Sequence, residues 1–145
     1  MNNINSNIHP VIIPTLRYLD GQAAISWLCN AFGFEKQLLV LDKKLVAHAQ
    51  LTYGNSMIML GAAKNNAFSK LVKSPLETGC VGSQSVYMIV EDVDAHYAKA
   101  IAAGAVIVLD IHDEDYGGRA YSCRDPEGHV WNFGGYNPWI VDHEK

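Results

Sequence analysis

Residues 85–104 read Ser-Val-Tyr-Met-Ile-Val-Glu-Asp-Val-Asp-Ala-His-Tyr-Ala-Lys-Ala-Ile-Ala-Ala-Gly, and this stretch decides the fold. The apolar, β-rich run over 85–90 predicts a strand. Asp92 then offers a side-chain oxygen to cap a helix that runs to Ala103, and Gly104 supplies the stop. The same order stands earlier in the chain. A run over 11–19 predicts a strand, Asp20 offers the cap, and the helix over 23–32 places Ile25, Leu28, Cys29 and Phe32 on one face before Gly33 ends it. The two capping aspartates lie 72 residues apart. An offset held through strand, cap, helix and glycine is an internal repeat, which outranks other fold arguments.

Outward from this core the repeat continues. After Gly33, strands are predicted over 34–41, 45–53 and 56–61, joined by turns at Asp42-Lys43-Lys44 and Gly54-Asn55. After Gly104, strands are predicted over 105–111, 119–124 and 129–133, joined by the polar loop 112–118 and the β-turn Asp125-Pro126-Glu127-Gly128. Between the copies, residues 62–83 break both periodicities and read as a linker, with a short helical turn near 68–72. The expected organisation is one structural domain of class α+β. It comprises a flexible arm over 1–10, a first βαβββ module over 11–61, the linker 62–83, a second module over 84–136 and a tail over 137–145. Each helix must cover one face of its four-stranded sheet. The other faces curve around a cavity, and strand alternation decides which side chains point into it.

Length and composition agree. The chain has 145 residues, 49% hydrophobic and 18% charged, with a formal net charge of −4. That suits one globular domain rather than a disordered chain. No Lys/Arg stripe of the kind that binds nucleic acid is present, and no apolar run is long enough for a membrane span. No phosphate-binding glycine loop occurs. Cys29, Cys80 and Cys123 are odd in number and lack metal-ribbon spacing, which with the absence of a leader-like opening predicts a cytoplasmic protein with reduced thiols.

The segments Tyr18-Leu19-Asp20, Ala31-Phe32-Gly33-Phe34, Val90-Glu91-Asp92-Val93-Asp94-Ala95, Ala102-Ala103-Gly104-Ala105 and Asp125-Pro126-Glu127-Gly128-His129-Val130-Trp131 resemble the glyoxalase / bleomycin-resistance / extradiol-dioxygenase (vicinal oxygen chelate) superfamily. The resemblance runs from about Val11 to Tyr136 and is most specific in the second half. It implies paired βαβββ modules and a homodimer. It leaves activity open, because the superfamily includes lyases, epimerases, dioxygenases, thiol transferases and metal-free drug-binding proteins.

Enzymes of this superfamily hold a divalent metal with one side chain from the first and one from the last strand of each module. Carried onto this chain by the repeat, those positions are Ile13, Met59, Ser85 and Asn132. Ile13 cannot ligate, Met59 is a soft thioether, and Ser85 and Asn132 are weak neutral donors. A shift of one residue brings in Pro14, Val86, Ile58 or Leu60, and Trp131 or Phe133, none of them a ligand. No metal and no cofactor is therefore expected. His9 and His143 lie in the arm and tail. His96 reads as a surface residue of its helix, and His129 as the exposed opening of the last strand. His112-Asp113-Glu114-Asp115 reads as a solvated acidic loop.

Alternation in 45–52 places Leu45, Ala47, Ala49 and Leu51 toward the helix, and Val46, His48, Gln50 and Thr52 on the open face. The expected ligand-binding residues are Thr15, Arg17, His48, Gln50, Met57, Met59, Ser85, Tyr87 and Asn132, an apolar surface with a few polar anchors. Ile89 and Val130 share this parity, while Trp131 and Phe133 face the helix. His48 either lines the pocket or satisfies a local hydrogen bond. Arg17 reads first as the structural partner of a carboxylate such as Asp20 or Glu91, with clamping of an anionic group as the alternative. Tyr121 and Trp139 reach either the pocket or a dimer seam. The expected function is binding of a small aromatic or cationic molecule in a metal-free cavity like that of the bleomycin-resistance branch. The alternatives are a metal-dependent glyoxalase- or dioxygenase-type enzyme with substituted ligands, and a metal-independent enzyme with His48 as base.

Overall fold

The computed structural model describes residues 8–62 and 66–140. The first module holds β1 (Thr15–Tyr18), α1 (Gly21–Phe32), β2 (Glu35–Asp42), β3 (Leu45–Tyr53) and β4 (Ser56–Ala62). The second holds β5 (Val86–Ile89), α2 (Val93–Ala102), β6 (Val106–Asp113), β7 (Arg119–Arg124) and β8 (Val130–Gly134). Each module forms its own four-stranded sheet, in the orders β1-β4-β3-β2 and β5-β8-β7-β6. In both, the first strand pairs in parallel with the last and the remaining pairs are antiparallel. The repeat seen in the sequence is thus a repeat of topology.

The helix ends are built as their residues dictate. Asp20 accepts the N–H of Ala23, and Asp92 that of Ala95, giving each helix a cap worth about 1 kcal/mol. Gly33 closes α1 in the left-handed region at φ 84°. In α2 the stop is one residue longer: Ala103 is the last turn and Gly104, at φ 92°, follows it. The linker carries short 3₁₀ turns at Phe68–Lys70 and Pro75–Glu77.

One core serves both modules. It runs from Leu16, Tyr18, Leu28 and Phe32 of the first to Tyr121, Trp131 and Phe133 of the second. The Phe32 ring packs on Trp131 at 5.3 Å and Phe133 at 4.7 Å between centroids. Trp27 donates its indole N–H to the Ala103 carbonyl at 2.8 Å. No helix among the described residues is long and apolar enough to cross a membrane.

Several expectations are corrected. β1 starts at Thr15, not at residue 11, and Val11 and Ile12 are 94% and 85% exposed. Pro14 lacks a backbone N–H, although its carbonyl still accepts from Met59 N at 3.0 Å. Ile13 and Ser85 therefore sit just before their strands. His112 and Asp113 belong to β6 rather than to the loop. The strict alternation in β3 fails at its start. Val40 pairs with His48 but Leu41 with Val46, so Ala47 is an extra residue, a β-bulge. Val46 thereby turns inward, 1% exposed, and Leu45 turns out, 50% exposed.

Two histidines are also relocated. His96 is not on the surface but packs between Phe32 and Phe133 and shares a 2.5 Å hydrogen bond with the Tyr121 hydroxyl. His129 is half-buried, bonds the Arg17 carbonyl at 2.8 Å and packs on the Tyr18 ring. Tyr121 is a core residue at 1% exposure, whereas Trp139 is 87% exposed. Ile8 and His9 touch Asn55 of the β3–β4 turn. The rest of the expected arm (1–7), part of the linker (63–65) and the end of the tail (141–145, with His143) lie outside the described residues.

Candidate functional site

The helices cover one face of each sheet and leave the other open. In the first sheet, inward Leu16, Ala49, Leu51, Ile58 and Leu60 alternate with outward Thr15, His48, Gln50, Thr52, Met57 and Met59, which are half-buried or exposed. Pairing aligns the outward residues across the strands: Thr15 opposite Met59, Met59 opposite Gln50, and Thr52 opposite Met57. The predicted residues of the first module therefore do share one surface. His48 Nε2 contacts Gln50 Oε1 at 2.8 Å, and Gln50 donates to Gln37 Oε1 at 2.6 Å. His48 is held in an amide relay with no acid in it, which suits positioning rather than proton transfer.

In the second sheet the open face carries Tyr87, Ser122 and Asn132, with Tyr87 and Ser122 both registered opposite Asn132. Asn132 is fully engaged. Its amide nitrogen donates to Ser85 Oγ at 2.9 Å and to the Val86 carbonyl at 3.1 Å, and its oxygen accepts from Ser122 Oγ at 2.6 Å. Ser85 and Asn132 thus meet in a neutral hydrogen-bonded set. Among the described residues no group of three or more His, Cys, Asp or Glu side chains is placed to hold a metal ion. With Ile13 and Met59 at the other two positions, the donor set does not fit a hard divalent cation.

At one end of this face, Tyr87, Tyr116, Tyr136 and Pro138 line an open groove of about 370 Å³. The Tyr87 hydroxyl donates to the Tyr136 carbonyl at 2.7 Å, and the Tyr116 and Tyr136 rings meet edge to face at 5.0 Å. Gly134 makes room for this, since a Cβ there would lie 2.6 Å from the Tyr87 hydroxyl. Burial, with smaller contributions from Tyr116, Tyr136 and Glu114, pushes the Tyr87 phenol up, so it stays a neutral donor. The sequence singled out Tyr87 but not Tyr116 or Tyr136. The polar loop around Tyr116 hid its role; the loop comes close to the Tyr136 backbone at Gly118, where a Cβ would lie 3.0 Å from Tyr136 N.

The acidic run 112–115 is a network rather than a ligand set. His112 Nε2 pairs with Glu114 at 2.7 Å, and Arg119 bridges Asp113 at 2.9 Å and Asp94 at 3.2 Å. Arg17 does not pair with Asp20 or Glu91. Its guanidinium lies over the Phe68 ring, 5.5 Å from the centroid, and its Nε and Nη2 are shielded with no hydrogen-bond partner. The open faces of the two sheets are separate within the chain and do not close on each other. The nine predicted residues thus form two groups, one per sheet.

Comparison with known proteins agrees with this architecture. The family model of the Glyoxalase/Bleomycin resistance protein/Dioxygenase superfamily matches residues 8–133. The uncharacterised protein Mb0911c of Mycobacterium bovis is 32% identical over 133 residues, covering 88% of this chain and 84% of its own. The crystal structure of TioX from Micromonospora sp. ML1 is 32% identical and superposes with a TM-score of 0.68 over 88% of this chain and 98% of that one. A superfamily member from Sphaerobacter thermophilus, 21% identical, shares the fold with a TM-score of 0.69 over 88% and 97% of the two chains. A repeated βαβββ topology, a match across nearly the whole chain and a relative at 32% identity together place this protein in the Glyoxalase/Bleomycin resistance protein/Dioxygenase superfamily.

Proposed function

We propose that the protein binds a small planar compound, aromatic or cationic, on the open sheet faces without a metal, and that a second copy of the chain closes those faces into a cavity. The observation that carries this reading is the donor set. The metal positions that the resemblance implies hold Ile13, Met59, Ser85 and Asn132, and Asn132 is engaged by neutral partners at both ends of its amide. The surroundings are those of a binding surface: polarizable Met57 and Met59 on one sheet and the Tyr87–Tyr116–Tyr136 groove on the other. Exposed Leu38 and Val40 near the first face and Val108 and Leu109 on the edge of the second supply apolar area for a second copy to cover.

The reading is tested by thermal-shift titration with planar aromatics, organic cations and divalent metals. A ligand at about 100 times its dissociation constant stabilises by about 2.7 kcal/mol, a shift of several degrees. Stabilisation by a planar compound, reduced by Tyr87→Ala, is the expected outcome. Stabilisation by Mn, Fe, Ni or Zn at one equivalent, with turnover of an added substrate, would replace this reading with a metal-dependent enzyme.

A further inference from the structure

Among the described residues, Arg17 has no carboxylate partner. It lies in β1 between Leu16 and Tyr18, 7% and 1% exposed, so its own side chain emerges on the open face. Its backbone is fixed, because His129 Nε2 bonds the Arg17 carbonyl at 2.8 Å from the other module. The guanidinium rests on Phe68, an exposed ring of the linker. Across the strand pair its neighbour is Gly61, where a Cβ would come within 3.6 Å of Nη1. That is ordinary van der Waals contact, so the guanidinium does not require a glycine there. Nε and Nη2 are nevertheless shielded and unpartnered, and the ion pairs among the described residues fall on Arg119 and His112 instead.

A guanidinium stays charged at every accessible pH, so a shielded one without a counter-charge is a standing cost to the fold. Contact with Phe68 does not require the charge, since a methionine would cover the same ring. The two idle donors, Nε–H and one Nη2–H, form the side of the fork that takes both oxygens of a carboxylate.

We propose that Arg17 is the anion-recognition point of the first sheet's open face and donates Nε–H and an Nη2–H to a carboxylate of the bound molecule. This rests on the reading that the open faces bind a small molecule, and it adds that the molecule carries an acidic group. Phe68 shapes the seat by flooring the guanidinium.

The test uses the full chain and the variants Arg17→Met and Arg17→Lys. Without ligand, Arg17→Met should melt at or above the wild-type temperature, because it removes an unpaired charge. A fall of several degrees would mark Arg17 as structural and overturn the proposal. With ligand, tryptophan fluorescence compares 2-naphthoate with the neutral isostere 2-naphthamide. The wild type should prefer naphthoate by about tenfold or more, as expected for a charge-assisted pair of hydrogen bonds. The preference should vanish in Arg17→Met with naphthamide binding unchanged, and return in part in Arg17→Lys. An undiminished preference in Arg17→Met, or none in the wild type, overturns the proposal. If neither compound binds, it is the aromatic-binding reading that fails. Arg17 is then judged by the NMR signal of its Nε–H during acetate titration: a saturable shift supports the assignment, and a stationary signal overturns it.

Discussion

Asp125 shows how much one residue of a short turn can carry. It is 3% exposed, and its carboxylate accepts from Tyr18 Oη at 2.6 Å, Trp131 Nε1 at 3.1 Å and the backbone N–H groups of Glu127 and His129. Glu127 completes the seam by accepting from the N–H groups of Leu19 and Asp20 and from Ser74 Oγ. Asp125→Ala leaves these donors without an acceptor and is expected to cost about 3–5 kcal/mol in urea denaturation. Tyr18→Phe removes one of the bonds and should cost about 1–2 kcal/mol. The half-buried His96 imidazole sets a pH dependence. Burial, helped by Lys99 and opposed by a smaller pull from the Phe32 backbone, lowers its pKa to about 4 from 6.5. Between those values the unfolded chain binds a proton that the folded chain refuses, so stability is full above pH 6.5 and falls as the pH drops toward 4. The loss, discounted for partial solvent access, is about 1–2 kcal/mol, and denaturation midpoints of His96→Phe should lack it. The sequence pointed to the Asp-Pro-Glu-Gly turn as a family mark, but not to its role as a seam. Its partners in the first module, Tyr18, Leu19 and Asp20, lie more than 100 residues away in the chain, and no local pattern links them.

At the scale of the element, the local rules read well until two strands had to agree. The caps Asp20 and Asp92 and the stop Gly33 follow from side-chain chemistry alone, and β3 and β7 have their predicted bounds. The bulge at Ala47 was invisible, because it is set by the register of β2 and not by the alternation of β3. It turns Val46 onto Gly21, where a Cβ would come within 2.8 Å of two Val46 carbons. Gly21→Ala is therefore expected to destabilise by about 1–3 kcal/mol through overpacking. Gly33→Ala should cost about 1 kcal/mol for a different reason: the space is open to ordinary contact with Tyr53, but the backbone stands at φ 84°. Thermal melts of the two variants read both effects, and a second change, Val46→Ala, should relieve part of the first, removing the Cγ2 contact but keeping that of Cβ, and leave the second unaltered.

For the whole molecule, the repeat made the two modules legible before any coordinates. The disposition of the sheets was not, because it depends on α1 and α2 packing together and on a core shared between modules. The placement of Arg17 was misread for the same reason: its partners were sought among nearby carboxylates, whereas the linker ring Phe68 lies under it. Open faces that do not close within one chain lead to the expectation of a dimer in sedimentation equilibrium, with Leu38→Glu and Val108→Glu shifting it toward monomer. The central claim is binding without a metal, and one measurement meets it directly: calorimetric titration of a stabilising planar compound into protein as purified and after exhaustive dialysis against a chelator. The account predicts the same affinity and stoichiometry in both. Binding that disappears on chelation and returns with one equivalent of a divalent metal would contradict it.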